Sequence, residues 1–173
     1  LQVNGTFSST GMLDLNSGSS LLINSHPGNE LSGVINYETG ATITIGSGGA
    51  CTLNASLTVP SGSLLQNDGI LNIHANLTIG NGGAFNNNGT SHHHAGNLQI
   101  FGTLTNEAGA MLTNDARITN LGNFTNEGQY LGSGSFHGFF QNGTGGIFSP
   151  GNSPGCHSFG NSMANAGTII MEI

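Results

Sequence analysis

A step of about 20 residues recurs along the chain and limits the folds open to it more than any other feature. Gly102-Thr103-Leu104-Thr105-Asn106-Glu107 returns as Gly122-Asn123-Phe124-Thr125-Asn126-Glu127, and Asn67-Asp68-Gly69 returns as Asn87-Asn88-Gly89. Leu57-Thr58-Val59 returns as Leu77-Thr78-Ile79 and then, one residue late, as Leu98-Gln99-Ile100. Self-similarity at a fixed step of roughly 20 to 50 residues marks an architecture in which each unit buries its apolar face only against its neighbours. Inside each period the apolar residues alternate, as in Ile43/Ile45, Leu71/Ile73 and Leu98/Ile100. That is strand periodicity, and no window carries the i, i+3, i+4, i+7 stripe of a helix.

The segments between these short strands are Gly-Ser-Gly-Gly, Asn-Gly-Gly, Asn-Asp-Gly or Asn-Glu-Ala-Gly. Such residues reach positive φ or form Asx turns at little cost, so the chain can turn a corner after each strand. The predicted fold is all-β: a right-handed parallel β-helix, or β-solenoid, of about eight coils, with strands about 4.8 Å apart and a rod about 40 Å long. One domain covers residues 1–173. A less regular part begins at about 132, where Phe136, Phe139 and Phe140 sit among glycines and predict a modified coil or a wider loop. In the first 35 residues the strand-like pieces Met12-Leu13-Asp14-Leu15 and Leu21-Leu22-Ile23 are spaced nearer ten than 20. Asn at matching corners is expected to stack into amide ladders along the axis, which gives a purpose to a residue that is otherwise poor in strands.

Charge narrows the partners. Arg117 is the one basic residue against eight acids, giving a net charge of -7 and a pI near 5.2. Neutralising phosphates needs several Lys or Arg, so no nucleic-acid partner is expected, and an anionic membrane surface is disfavoured for the same reason. No apolar run approaches the roughly 18–20 residues of a spanning helix, so no membrane insertion is expected. The chain has no initiator Met and no basic segment leading into an apolar one, and it reads as processed or as a fragment. Charged residues make up 5% of the chain, against about 25% in ordinary soluble domains. Disorder is the rival for so much Gly, Asn and Ser, yet 35% of residues are hydrophobic and fall at recurring places.

The segment Phe148-Ser149-Pro150-Gly151-Asn152-Ser153-Pro154-Gly155, followed by Ala166-Gly167-Thr168-Ile169-Ile170-Met171-Glu172-Ile173, resembles the end of many bacterial autotransporter passengers and related haemagglutinin-like or strand-repeat secreted proteins. The upstream Gly-Thr-Leu-Thr-Asn rhythm is similar to the same families. The resemblance implies a right-handed parallel β-helix that is exported, sits outside a bacterial cell and serves adhesion, aggregation or surface architecture. The barrel that follows an autotransporter passenger has no counterpart in these residues.

Candidate chemistry is sparse. Polysaccharide-acting β-helix enzymes need a positioned base or paired carboxylates. Here Arg117 is alone, and Asp14, Asp68 and Asp115 fall in different coils, so no catalytic residue is identified and no enzyme is expected. Asp115 and Arg117 share a strand face in this reading and are expected to form a surface ion pair. Ser91-His92-His93-His94-Ala95 holds three imidazoles, and the 20-residue step places His74 one coil from His94. His74, His92 and His94 are therefore candidate metal ligands, while the plainer alternative is an exposed Gly-flanked loop of ordinary polar His. His137 and His157 are also 20 apart. No cofactor is expected.

Cys51 and Cys156 are 105 residues apart, about five coils, or over about 20 Å along the axis, which is too far for a disulfide. The choices left are two buried small residues, a reactive thiol or a bridge between molecules, and with Cys51 at a coil corner burial is the preferred reading. Six Asn-x-Ser/Thr sequons occur, at Asn4, Asn54, Asn76, Asn88, Asn123 and Asn142, and the abundance of Asn, Ser and Thr explains them by chance. Thr42/Thr44 and Thr103/Thr105 are candidates for an ice-binding face, but the pairs do not recur coil after coil.

Both ends of the chain are strand-like and nearly uncharged. Leu1, Val3 and Phe7 at one end, and Ile169, Ile170, Met171 and Ile173 at the other, are the expected self-association residues, and the expected partner is a second copy, head to tail. The function expected is that of an extracellular structural protein of the bacterial surface, assembling into filaments or matrix. The alternative is an adhesin-type passenger fragment binding glycans or neighbouring cells.

Overall fold

The computed structural model describes residues 1–24, 26–151 and 157–171. Every paired strand among them is parallel to its neighbours, and the strands stack into a β-solenoid whose coils have three sides. One full turn shows the plan: Leu64–Asn67 lies on the first side, Ile70–Ile73 on the second and Leu77–Ile79 on the third, before Ala84–Asn87 returns to the first. The first and second sides are each nine strands deep. On the first side the successive registers are 20, 22, 22, 20, 19, 20, 16 and 23 residues apart. The expectation of about eight coils of roughly 20 residues therefore holds.

The two departures from 20 foreseen at the ends of the chain have different causes. The close spacing near the start arises because Met12–Leu15 and Ser20–Ile23 are different sides of one coil, not successive coils. Past Gly132 a 16-residue step is followed by a 23-residue one, and here the core changes from aliphatic to aromatic. Phe124, Tyr130, Phe136, Phe140, Phe148 and Phe159 interlock, with Phe124 to Phe136 and Phe136 to Phe140 both 5.0 Å between ring centres and mostly edge to face. Rings meeting at that angle place a positive edge on a negative face.

Alternation decides what is inside. In Leu64–Asn67, Leu65 and Asn67 point inward and Leu64 and Gln66 outward, and the same pattern repeats through Phe85/Asn87, Leu104/Asn106 and Phe124/Asn126. The inward apolar residues form one continuous core from Leu15 to Phe148. The third side is interrupted: Met12–Leu15 pairs with Val34–Tyr37, and a separate six-stranded sheet begins at Leu57–Val59 with no register between the two.

The corner from first to second side carries the amide ladder expected from the sequence. The Nδ2 of Asn67, Asn87, Asn106, Asn126 and Asn142 donates in turn to the Oδ1 of Asn87, Asn106, Asn126, Asn142 and Asn165, at 2.7–2.8 Å. Each of the first three also donates to a backbone carbonyl one coil further on, Thr90, Met111 or Gln129, at 2.9 Å. The side chains from Asn67 to Asn142 are buried, so the bonds among them form where water does not compete. Asn142 is a ladder member, which removes that sequon from the surface.

Candidate functional site

Polar groups converge where the second side ends. Register places Asn54, His74, His94, Asp115 and Ser133 at the same corner of successive coils, with His92 two residues upstream on the outer face of its strand. The three candidate imidazoles are brought together, as the 20-residue step implied. The rings of His74 and His94 stack 4.4 Å apart at 16°, and those of His92 and His94 lie 3.5 Å apart at 30°. His74, His92 and His94 are thus drawn into one stack of rings. Among the described residues no three His, Cys, Asp or Glu side chains are placed to hold an ion.

The exposed-loop reading of the triple His is corrected. Thr90–His93 is a strand, and alternation turns His93 fully inward. Its Nδ1 lies 2.9 Å from the Oδ1 of Asn114, an oxygen that also accepts from the Ala116 N–H. Nδ1 must therefore carry the proton, which leaves Nε2 a buried lone pair with no partner. Asn114 passes the link on, its Nδ2 donating to the Tyr130 hydroxyl at 3.0 Å. Burial lowers the His93 pKa and outweighs the bond to Asn114, and burial pushes Tyr130 well above its ordinary value.

Asp115 does not pair with Arg117. A corner separates them: Asp115 closes the second side, whereas Arg117 opens the strand Arg117–Asn120 of the third, where its Nε donates to Thr119 Oγ1 at 3.3 Å. Asp115 takes His92 instead, with Nε2 at 2.7 Å from Oδ2, while its Oδ1 accepts from the backbone N–H of Ser133 at 3.1 Å. Burial works to raise the Asp115 carboxyl, but the His92 and Ser133 hydrogen bonds outweigh it and hold the group below its ordinary value. Burial, followed by the neighbouring His92 and His74, lowers the pKa of His94.

Beside this pair a groove of about 540 Å³ runs along the second side, lined by His92, Thr113, Asp115, Leu131, Ser133 and Ser149. Hydroxyls, one carboxylate and one imidazole around a single apolar side chain suit a polar, hydroxyl-bearing ligand. Ser133 reaches the Asp115 carboxylate, not an imidazole, so a Ser–His–Asp relay is not assembled.

The other sequence candidates are placed as follows. Cys51 is buried, and burial followed by the Glu30 charge pushes its thiol up to about 12; Cys156 lies outside the described residues. His137 and His157 do not stack. His137 packs beneath Gly160, while His157 Nδ1 donates to the Gly132 carbonyl at 3.3 Å and its ring meets Tyr130 edge-on. The self-association residues divide between opposite ends. Leu1 is exposed, and Val3 and Phe7 are half-buried against the core. At the far end Ile169, Ile170 and Met171 are exposed, and Ile169 and Met171 line an apolar cavity of about 330 Å³ that also takes in Phe148, Phe159 and Met163. Ile173 lies outside the described residues. Among the described residues no helix is long and apolar enough to cross a membrane. Reading by period did not foresee Asn114, Asn120 or the His92–Asp115 bond, which depend on which way a corner turns a side chain.

The chain matches no protein-family model, no curated protein and no solved structure.

Proposed function

We propose that the chain is a structural subunit, without catalysis, that extends head to tail into filaments on the outside of a bacterial cell. The observation that carries this reading is the state of the two faces of the stack. Gln2–Val3 and Ser8–Ser9 at one face, and Met163–Asn165 and Thr168–Ile169 at the other, are the outermost strands of the same two long sheets. Among the described residues each has an edge with no paired strand, and apolar side chains are exposed beside it. Because all strands are parallel, the two faces are unlike and complementary: the last coil of one copy can continue into the first coil of the next, a contact that propagates without closing. The near absence of charge leaves little repulsion against such stacking. The extracellular bacterial placement is supported by the sequence resemblance to passenger-type proteins.

Electron microscopy of the purified chain over a concentration series tests the proposal. Uniform filaments with an axial repeat near 40 Å, for a stack of about eight coil steps, are expected. Isolated short rods at every concentration would overturn it. The groove beside His92 and Asp115 favours a second reading, an adhesin that binds a glycan there. That reading predicts saturable sugar binding that is lost in Asp115→Asn.

A further inference from the structure

A chain of hydrogen bonds runs from the core to the last coil, and its direction is fixed at both ends. The Gly132 carbonyl can only accept, so His157 Nδ1, 3.3 Å from it, carries a proton. In the neutral ring Nε2 is then a lone pair, and it lies 3.4 Å from the Tyr130 hydroxyl. That hydroxyl accepts from Asn114 Nδ2 at 3.0 Å, so its own hydrogen goes to His157. At the inner end Asn114 Oδ1 accepts from His93 Nδ1 and from the Ala116 N–H. Hydrogens therefore point one way throughout, from His93 through Asn114, Tyr130 and His157 to the Gly132 carbonyl.

A second proton on His157 must go to Nε2, the atom that receives the Tyr130 hydroxyl. The acceptor becomes a donor, and among the described residues the fully buried hydroxyl has no other acceptor. The new charge is also poorly housed. The rings of Tyr130, Phe148 and Phe159 surround it, with centres 5.4, 5.5 and 4.9 Å away, and Met163 and Met171 complete the wall. Of the ionisable groups nearby, Tyr130 alone faces His157 directly among the described residues. Asp115 spends its carboxylate on His92 and Ser133, and His137 packs beneath Gly160. Burial lowers the His157 pKa more than the Gly132 bond raises it.

The ring sits at the entrance to a lightly fastened coil. Ser158–Phe159 pairs through two residues, Met163–Asn165 through three and Thr168–Ile169 through two. In mid-rod the three sides pair through four, four and three. Few pairs mean a low free energy of local opening, so one side-chain tie matters more here than elsewhere.

We propose that His157 is a pH-sensitive latch: neutral, it ties the last coil to Tyr130 and Gly132; protonated, it releases residues 157–171 while the rest of the rod stays folded. The folded pKa lies below the ordinary value near 6.5, so the latch is closed above about pH 6.5 and opens as pH falls through the lower folded value. The latch does not depend on the filament reading. The strands it frees nevertheless form the far face of the stack, so in filaments acid would halt growth at that face.

Hydrogen exchange read by mass spectrometry, at pH 7.5 and 5 and at a concentration too low for assembly, tests the latch once rates are corrected for the intrinsic effect of pH. In wild type the amides of residues 157–171 are expected to exchange several-fold faster at pH 5, while those of residues 57–87 do not change. His157→Gln keeps an acceptor for Tyr130 and a donor for Gly132 but does not titrate, and should leave the last coil equally protected at both pH values. Equal protection of the last coil at both pH values in wild type would overturn the latch. So would acid opening that persists in His157→Gln, or loosening of all coils together. Should His157→Gln not fold, NMR of the wild-type ring nitrogens decides: a proton on Nδ1 at pH 7.5, and a titration that coincides with opening of the last coil, are expected. A proton on Nε2 instead, or titration without opening, would overturn it.

Discussion

At the scale of single residues, the buried asparagines do the work that charge does elsewhere. Asn106 accepts from Asn87 and donates to Asn126 and to the Gln129 carbonyl. Asn106→Leu leaves a donor below and an acceptor above without partners, each worth about 1–3 kcal/mol. The expected loss is about 2–4 kcal/mol, read as a fall in Tm of about 2–4 °C per kcal/mol for a chain of this size. Asn88→Leu, at an exposed position one residue beyond the ladder, should change Tm by no more than a degree or two. Cys51 offers a second check. With its thiol buried and raised to about 12, a Cys156→Ser variant should not react with a thiol reagent at neutral pH until it is denatured, and rapid labelling of the folded chain would contradict the burial. The histidines give the third. His93, His94 and His157 all have folded pKa values below the ordinary value near 6.5, so the unfolded chain binds more protons than the folded one in that range. Stability is full above about pH 6.5 and falls as pH drops through that value and toward the lower folded ones. His93→Asn should keep the bond to Asn114, place no ionisable group in the core and flatten the change in Tm between pH 7.5 and 5; an unchanged pH slope would show that His93 is not its source.

At the scale of elements, corners set the shape and glycines set the corners. Gly138→Ala forces a side chain into a positive φ and onto the Asn120 carbonyl, and about 1–3 kcal/mol should be lost. Gly5→Ala, where a Cβ meets open space and the φ is ordinary, should be neutral in the same thermal melt. Corners also explain what could be read in advance. The strands, their alternation, the parallel stacking and the approach of His74 to His94 follow from a period and a pleat, both visible in one dimension. The partner of Asp115 does not: whether a residue at the end of Met111–Asn114 turns toward His92 or toward Arg117 depends on where the corner bends, and coil lengths from 16 to 23 residues move that point. The inward turn of His93 was hidden for another reason. Three consecutive His look like a polar loop, and only the register with Ile73 reveals that the middle one occupies a core position.

At the scale of the whole molecule, regularity along one axis is the main property. Stability in such a stack is a sum over neighbouring coils, so a change is felt by the coil that bears it and the two beside it. With so few charges, end-to-end growth should respond weakly to salt: filament yield between 20 mM and 500 mM NaCl is expected to change little, whereas assembly driven by ion pairs would weaken steeply as the Debye length shortens from about 20 Å to about 4 Å. Finally, the missing register on the third side, between Val34–Tyr37 and Leu57–Val59, has a mechanical meaning. Most coils are fastened to the next along three edges, but at this step the rod is fastened along two. Pulled along its axis, the molecule should part there first, the leading coils peeling away at lower force while the longer segment stays intact, much as a zip with one damaged section opens at the damage.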